Sequence, residues 1–184
     1  RWRKAGVWDR LMDAIIAAHD GKVQMIDSTS VRVHHQAAAQ KNRVEMLVSV
    51  VSRGLTTKLH ARVIGNGLPV QLELSPGQAH DAPMADLLLN NLPKGAVVLG
   101  DRAYDNDWIR DVIEEQDCRA CIPPHPRRVQ DITYSKRLYK QRNLIERFFN
   151  KLKQFRQIFS RFDRHALNYL AMAKLAQCDY GFDL

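Results

Sequence analysis

The 184 residues suffice for one well-buried α/β domain and are few for two, with a hydrophobic share of 45% and a charged share of 26% that exclude a disordered or fibrous chain. A net charge of +8 and a pI near 9.6 favour a polyanionic partner, of which nucleic acid is the commonest. There is no apolar run of about 18 residues, so no membrane-spanning helix is expected.

The start, Arg1-Trp2-Arg3-Lys4, has no initiator Met and no apolar signal run behind it, and reads as the continuation of something longer. Val7, Trp8, Leu11, Ile15 and Ala18 recur at helical spacing, which predicts an amphipathic helix over 5–18 ending near Gly21. Residues 23–33 are β-rich and carry one acid, Asp27, amid apolar and hydroxyl residues. A half-buried carboxylate needs a partner or a metal. His34 and His35 read as strand-end or surface residues, and 36–53 shows no pattern that assigns it. Residues 55–64 alternate, Gly65-Asn-Gly67 makes a turn, and 69–74 alternate again, so 55–74 is expected to be a hairpin.

Ser75 to Asp81 reads as a loop, with Asp81 the expected N-cap of a helix through Leu92 and His80 a structural residue within reach of the site. Ala96–Leu99 suits a strand buried on both faces, and Gly100-Asp101 follows it directly. A carboxylate just past the carboxyl end of such a strand is where α/β folds place sites. Asn106 or Asp107 then caps a helix through Glu115, and 119–122 is the next strand, ended by Pro123-Pro124. Cys118 and Cys121 with His125 resemble half of a zinc site, but no second ligand pair sits at suitable spacing. Residues three apart on a strand point to opposite faces, so both cysteines are expected to be buried small hydrophobes. Three cysteines, an odd number, argue against a disulfide scaffold and for a reducing compartment.

A basic loop from His125 to Arg137 leads into a stretch without Pro or Gly from Leu138 to Phe159, which predicts one long helix. Tyr139, Arg142, Glu146 and Lys153 fall on one face of it, while Leu144, Phe148, Leu152, Phe155 and Phe159 form an apolar stripe on another. A last helix over 165–178 carries Leu167, Leu170, Met172, Leu175 and Ala176. The order is three strands, helix, strand, helix, strand, long helix. It predicts a mixed five-stranded sheet, three antiparallel strands and two entered by helical crossovers, flanked by helices in the ribonuclease-H-like arrangement.

In that arrangement, acids on the first strand, after the fourth and on the long helix converge, and Asp27, Asp101 and Glu146 occupy those places. Convergent carboxylates suit magnesium, or manganese in its stead, and two such ions suit phosphodiester cleavage. Asp105, Asp107 and Asp131 compete for the third place, although caps and loop surface account for them. Lys151, Lys153, Arg156, Arg161 and Arg164 form a cationic run, part of it solvated and part expected to track DNA phosphates.

Four stretches add a resemblance. Ile26-Asp27-Ser-Thr-Ser-Val31, Gly77-Gln-Ala-His80-Asp81, Gly100-Asp101-Arg-Ala-Tyr104-Asp105 and Tyr139…Arg142…Glu146…Lys153 resemble, in order, the motifs of bacterial insertion-sequence DDE transposases with a Tyr-Arg-Glu-Lys signature. The resemblance implies that Asp27, Asp101 and Glu146 are the metal-binding catalytic triad. It implies that Arg142 and Lys153 contact DNA near the transposon end and that Tyr139 helps to position it; Lys151 and Arg156, from the cationic run, are expected to add phosphate contacts. Residues 1–20 would be the tail of an N-terminal DNA-binding region and 21–184 the catalytic domain. The implied partners are double-stranded DNA, at transposon ends and target, and a second copy of the chain in a homodimer on DNA. The implied location is the bacterial cytoplasm, on the nucleoid. The sequence departs from that family where Val44 to Val51 replaces a glycine- and arginine-rich stretch. Two other readings stay open here: a hydrolytic nuclease of the same fold, and a non-catalytic DNA-binding module.

Overall fold

The computed structural model describes residues 21–34, 49–51 and 54–181. The helix expected over 5–18, His35 and most of 36–53 therefore lie outside the described residues. Strand β1 (Val23–Val33) is the spine of the sheet. Along one edge it pairs antiparallel with β3 (Gly54–Ile64), from Gln24 opposite Ile64 to Arg32 opposite Thr56. The far edge of β3 carries β4 (Pro69–Pro76), which closes the expected hairpin through Ile64 N–H to Leu68 O at 2.8 Å. Gly67 takes φ +88° in that turn, a conformation open to glycine and costly to most other residues.

On its other edge β1 pairs in parallel with β5 (Val97–Leu99), which pairs in parallel with β6 (Arg119–Cys121). Helices α1 (Ala82–Leu88) and α2 (Asp107–Glu114) make the two crossovers. The five principal strands thus stand in the order β4-β3-β1-β5-β6, the mixed sheet that the sequence predicts. Two short strands extend it. β2 (Ser49–Val51) continues the outer edge of β3 past the end of β4, and β7 (Ser160–Arg161) pairs with Arg32 and Val33 of β1.

The pleat divides the core in two. Met25 and Val31 of β1, with Leu99 and Cys121, face α4 (Asn143–Leu152) and α6 (Ala166–Gly181). Ile26, Val98, Cys118 and Ile122 pack with α1 and α2. Cys118, just before β6, and Cys121, at its end, are both buried and lie in different halves. Gly100 sits where a Cβ would come within 3.4 Å of Ile26, Tyr104 and Ile122.

The long helix is the main departure. Its first part is a turn, α3 (Lys136–Tyr139) and a 3₁₀ segment (Lys140–Arg142), before α4 proper begins. It stops at Leu152, Phe155 turns extended, and α5 (Arg156–Phe159) follows in a new direction. No Pro or Gly announces this break. Packing beyond the helix wins over propensity: Ile158 is buried, and the chain then seats Arg161 wholly inside the fold. Arg161 donates to Thr57 Oγ1 at 2.8 Å and to the carbonyl of Asp163 at 3.0 Å, with its guanidinium 5.5 Å from the Tyr169 ring. The expected stripe shifts accordingly. Ile145, Phe148, Phe149 and Leu152 are buried, Leu144 and Phe155 only partly, and Phe159 is exposed.

The last helix turns a different face inward as well. Ala166, Tyr169, Ala173 and Ala176 are buried, while Leu167 and Leu175 are exposed. Small residues let α6 approach β4 closely and leave the larger leucines at the rim. Helix α1 also ends early, at Leu88, where Asn91 adopts a left-handed φ of 58°; Leu89 and Leu92 remain buried beyond it. Among the described residues no helix is long and apolar enough to cross a membrane.

Candidate active site

Met25 of β1 stands opposite Leu99 of β5, and the strands are parallel. Asp27 lies two residues further along β1, and Asp101 lies two residues past Leu99, just beyond the end of β5; neighbouring strands stand about 4.8 Å apart. The register starts the two acids from adjacent points, and the charge of Asp101 acts on the Asp27 carboxyl. The Asp101 backbone is extended, and its Oδ1 accepts from Ala103 N–H at 2.9 Å, capping a 3₁₀ turn over Arg102–Tyr104. Asp27 Oδ1 accepts from Ser28 N–H and its Oδ2 from Arg142 Nη1, both at 2.8 Å. Burial raises the Asp27 carboxyl, the charge of Asp101 adds to that rise, and Arg142 and the Ser28 N–H work against it.

Arg142 reaches in two directions. Its Nη2 donates to Glu146 Oε1 at 2.6 Å, one helical turn along, so a single guanidinium joins Asp27 to Glu146. The Glu146 side chain is 52% exposed, against 16% for Asp27. Arg142 thus stands between Asp27 and Glu146, and the charge of Asp101 acts on both Asp27 and Arg142. Among the described residues no three His, Cys, Asp or Glu side chains are close enough to hold a metal ion, and Arg142 is bonded to both Asp27 and Glu146.

The other residues singled out from the sequence are divided among α3, α4 and α5. Tyr139 is half-buried, edge-on to Tyr134 at 5.6 Å, with the Arg142 guanidinium 6.0 Å from its ring. Lys153 is half-buried at the end of α4, whereas Lys151 and Arg156 are exposed. Arg156 lies beyond the break, so it does not continue the helical face of Lys153.

Beside this site stands a buried polar group that sequence reasoning missed. Asp81 does not cap α1 with its side chain. Its Oδ1 instead accepts from Ser28 Oγ at 2.9 Å and Lys58 Nζ at 3.0 Å, with His60 Nδ1 3.8 Å away. His60 is wholly buried, and its Nε2 shares a hydrogen bond of 2.7 Å with Ser75 Oγ. The available signal was the pair Lys58 and His60, two apart on a strand and so on one face. Gly77 presents the loop before Asp81: a Cβ there would overlap the Thr56 side chain and come within 2.9 Å of its carbonyl carbon. His80, by contrast, is exposed.

Asp105 is likewise no surface acid. Its side chain is 1% exposed and takes Arg110 Nη2 at 2.7 Å, Arg128 Nε at 3.0 Å and His125 N–H at 2.6 Å. Burial pushes its carboxyl up, but these three donors together hold it below the usual carboxylate value. It is a clasp for the basic loop after β6. Asp107 pairs with Arg128 at 2.6 Å on the surface, and Asp131 is exposed.

The family model described as a transposase DDE domain matches residues 18–177. The transposase assigned to insertion sequence element IS6501 of Brucella ovis is 40% identical over 123 residues, 66% of this chain and 95% of that protein. The transposase for IS1106 of Neisseria meningitidis serogroup B is 31% identical over 105 residues, 54% of this chain and 36% of that protein. Among solved structures, a piggyBac transposase synaptic complex with hairpin DNA aligns over 97% of this chain and 50% of its own, with a TM-score of 0.58 at 10% identity, a likeness of fold alone.

Proposed function

Because the chain belongs to the transposase DDE domain family, we propose that it cleaves DNA at the ends of an insertion sequence and joins the freed 3′-hydroxyl to target DNA, with Asp27, Asp101 and Glu146 as the catalytic acids. The observation that carries this reading is that Arg142 joins Asp27 to Glu146 in two short ion pairs, while Asp101, just past the end of the strand beside β1, acts on the Asp27 carboxyl through its charge.

The donors are all carboxylate oxygens, which fits magnesium or manganese. Asp27, whose carboxyl is raised first by burial and further by the charge of Asp101, gains from positive partners. Two divalent ions, when bound there, would supply the charge that favours attack by one oxygen and departure of another. Asp27 and Asp101 would hold them, and Glu146 would join once Arg142 releases it. The released guanidinium, planar and able to bond bidentately, suits a DNA phosphate beside the scissile bond. Lys153, Lys151, Arg156 and Tyr139 would hold the duplex along the helical segment. We assign 21–184 to the catalytic domain and 1–20 to the end of a DNA-binding region. A homodimer bridging two transposon ends, acting on nucleoid DNA in the bacterial cytoplasm, belongs to the same proposal, as does membership of the Tyr-Arg-Glu-Lys group.

The test is cleavage of a labelled duplex carrying the element's terminal sequence, in Mg2+, by the parent and by Glu146→Gln. The parent should nick the end and transfer the strand, and the variant should lose cleavage while its affinity for the duplex stays similar. Undiminished cleavage by the variant would sink the assignment. Hydrolysis without strand transfer would point to a nuclease, and an inactive parent that still binds the duplex to a binding module.

A further inference from the structure

Tyr104 is the last residue of the 3₁₀ turn that Asp101 caps, and its side chain is fully buried. The ring packs in the half of the core that holds Ile26, Ile109 and Ile122. Its hydroxyl has no hydrogen-bond partner within the fold. Leaving such a donor unmade inside a protein is unfavourable, and native structures rarely do it without a reason.

The surroundings of this hydroxyl are not apolar. The carboxylates of Asp81, Asp27 and Asp101 and the guanidinium of Arg142 all act on the phenol, which burial and these acids keep protonated. Those are the acids of the candidate site and the buried aspartate beside it. Two of them are linked through Ser28, whose N–H donates to Asp27 and whose hydroxyl donates to Asp81. Asp101 and Tyr104 are joined by the turn itself, through Tyr104 N–H to Asp101 O at 3.1 Å. A rigid turn therefore fixes a metal-competent acid and an unsatisfied donor together, on the edge of a region crowded with negative charge.

We propose that Tyr104 is a positioning residue for the acid site: its hydroxyl donates to an oxygen, such as a water, that enters the site with the divalent cation held by Asp27 and Asp101. The proposal rests on the reading of Asp27 and Asp101 as metal ligands. The bond would orient an oxygen that accompanies the ion, and it would satisfy a hydroxyl that finds no partner among the protein's own groups. Outer-shell hydrogen bonds of this kind commonly carry about 10- to 100-fold in metal affinity.

The experiment uses Tyr104→Phe, which removes one oxygen and keeps the ring in its packing. Mn2+ binding without DNA is measured by calorimetry on the parent, Tyr104→Phe and Asp101→Asn, beside the melting temperature of each in chelator. The expected result is a Tyr104→Phe protein as heat-stable as the parent or more so without metal, with Mn2+ affinity lowered about tenfold. A purely structural phenol would move the two readouts differently: a lower melting temperature with unchanged Mn2+ affinity overturns the proposal, and so does no change in either. Tight Mn2+ binding by Asp101→Asn, or none by the parent, removes the metal reading itself and this proposal with it. Binding lost in Asp101→Asn but untouched in Tyr104→Phe removes only the role of Tyr104.

Discussion

His60 and Asp27 lie on facing strands one register step apart and respond to burial in opposite senses. Burial pushes His60 down to about 4, against the pull of the Asp81 charge and with help from Lys58. An unfolded histidine titrates near 6.5, so as pH falls the unfolded chain takes the proton first. The stability gained by keeping the imidazole neutral is complete above about 6.5 and is lost progressively towards about 4, to a total of roughly 3 kcal/mol. Urea denaturation of the parent should therefore show stability falling from pH 7 to pH 5, and His60→Gln should flatten that slope. Parallel curves for the two proteins would remove His60 from the acid response. For Asp27 the sign is reversed: burial raises its carboxyl, so keeping it ionised costs the fold stability, which Arg142 partly offsets.

At the scale of elements, the loop after β6 behaves as a part clasped to its neighbours. Asp105 gathers Arg110 from α2, Arg128 from the loop and the His125 N–H at one buried carboxylate. Removing its charge leaves two cations without their anion, which at a buried site costs about 3 kcal/mol. Asp105→Asn should lower the unfolding free energy by that order and expose Arg127 and Arg128 to trypsin well before the rest of the fold. Cleavage as slow as the parent's would show that the loop is held by other means. This clasp was not legible in the sequence, where Asp105 reads as a turn aspartate four residues beyond Asp101. Strand and hairpin positions were legible because alternation and Gly-Asn-Gly are local signals. The break at Phe155 was not, because its cause is Arg161 reaching Thr57, a contact between residues far apart in the chain. The same holds for the site. Asp27 and Asp101 could be placed from strand order, whereas Asp81 reads as a cap until the fold puts Ser28 and Lys58 against it.

For the whole molecule, the question is how a chain with a net charge of +8 distributes it. Several cations are committed internally: Arg161 is sealed in the core, Arg110 and Arg128 serve Asp105, and Lys58 serves Asp81. Among the exposed ones, Lys151 lies on the helix that also bears Glu146, and Arg156 opens the next helix beyond the break. Each phosphate neutralised in duplex DNA releases counterions, so the logarithm of the binding constant falls linearly with the logarithm of salt, by about 0.9 per contact. Anisotropy titrations of a labelled duplex between about 50 and 200 mM salt should give a steep slope for the parent. Lys151→Gln and Arg156→Gln should each weaken binding across all sequences and reduce the slope by about one. A slope unchanged in both variants would make them solvated surface, and the duplex would then have to cross the acids from the side of the basic loop held by Asp105.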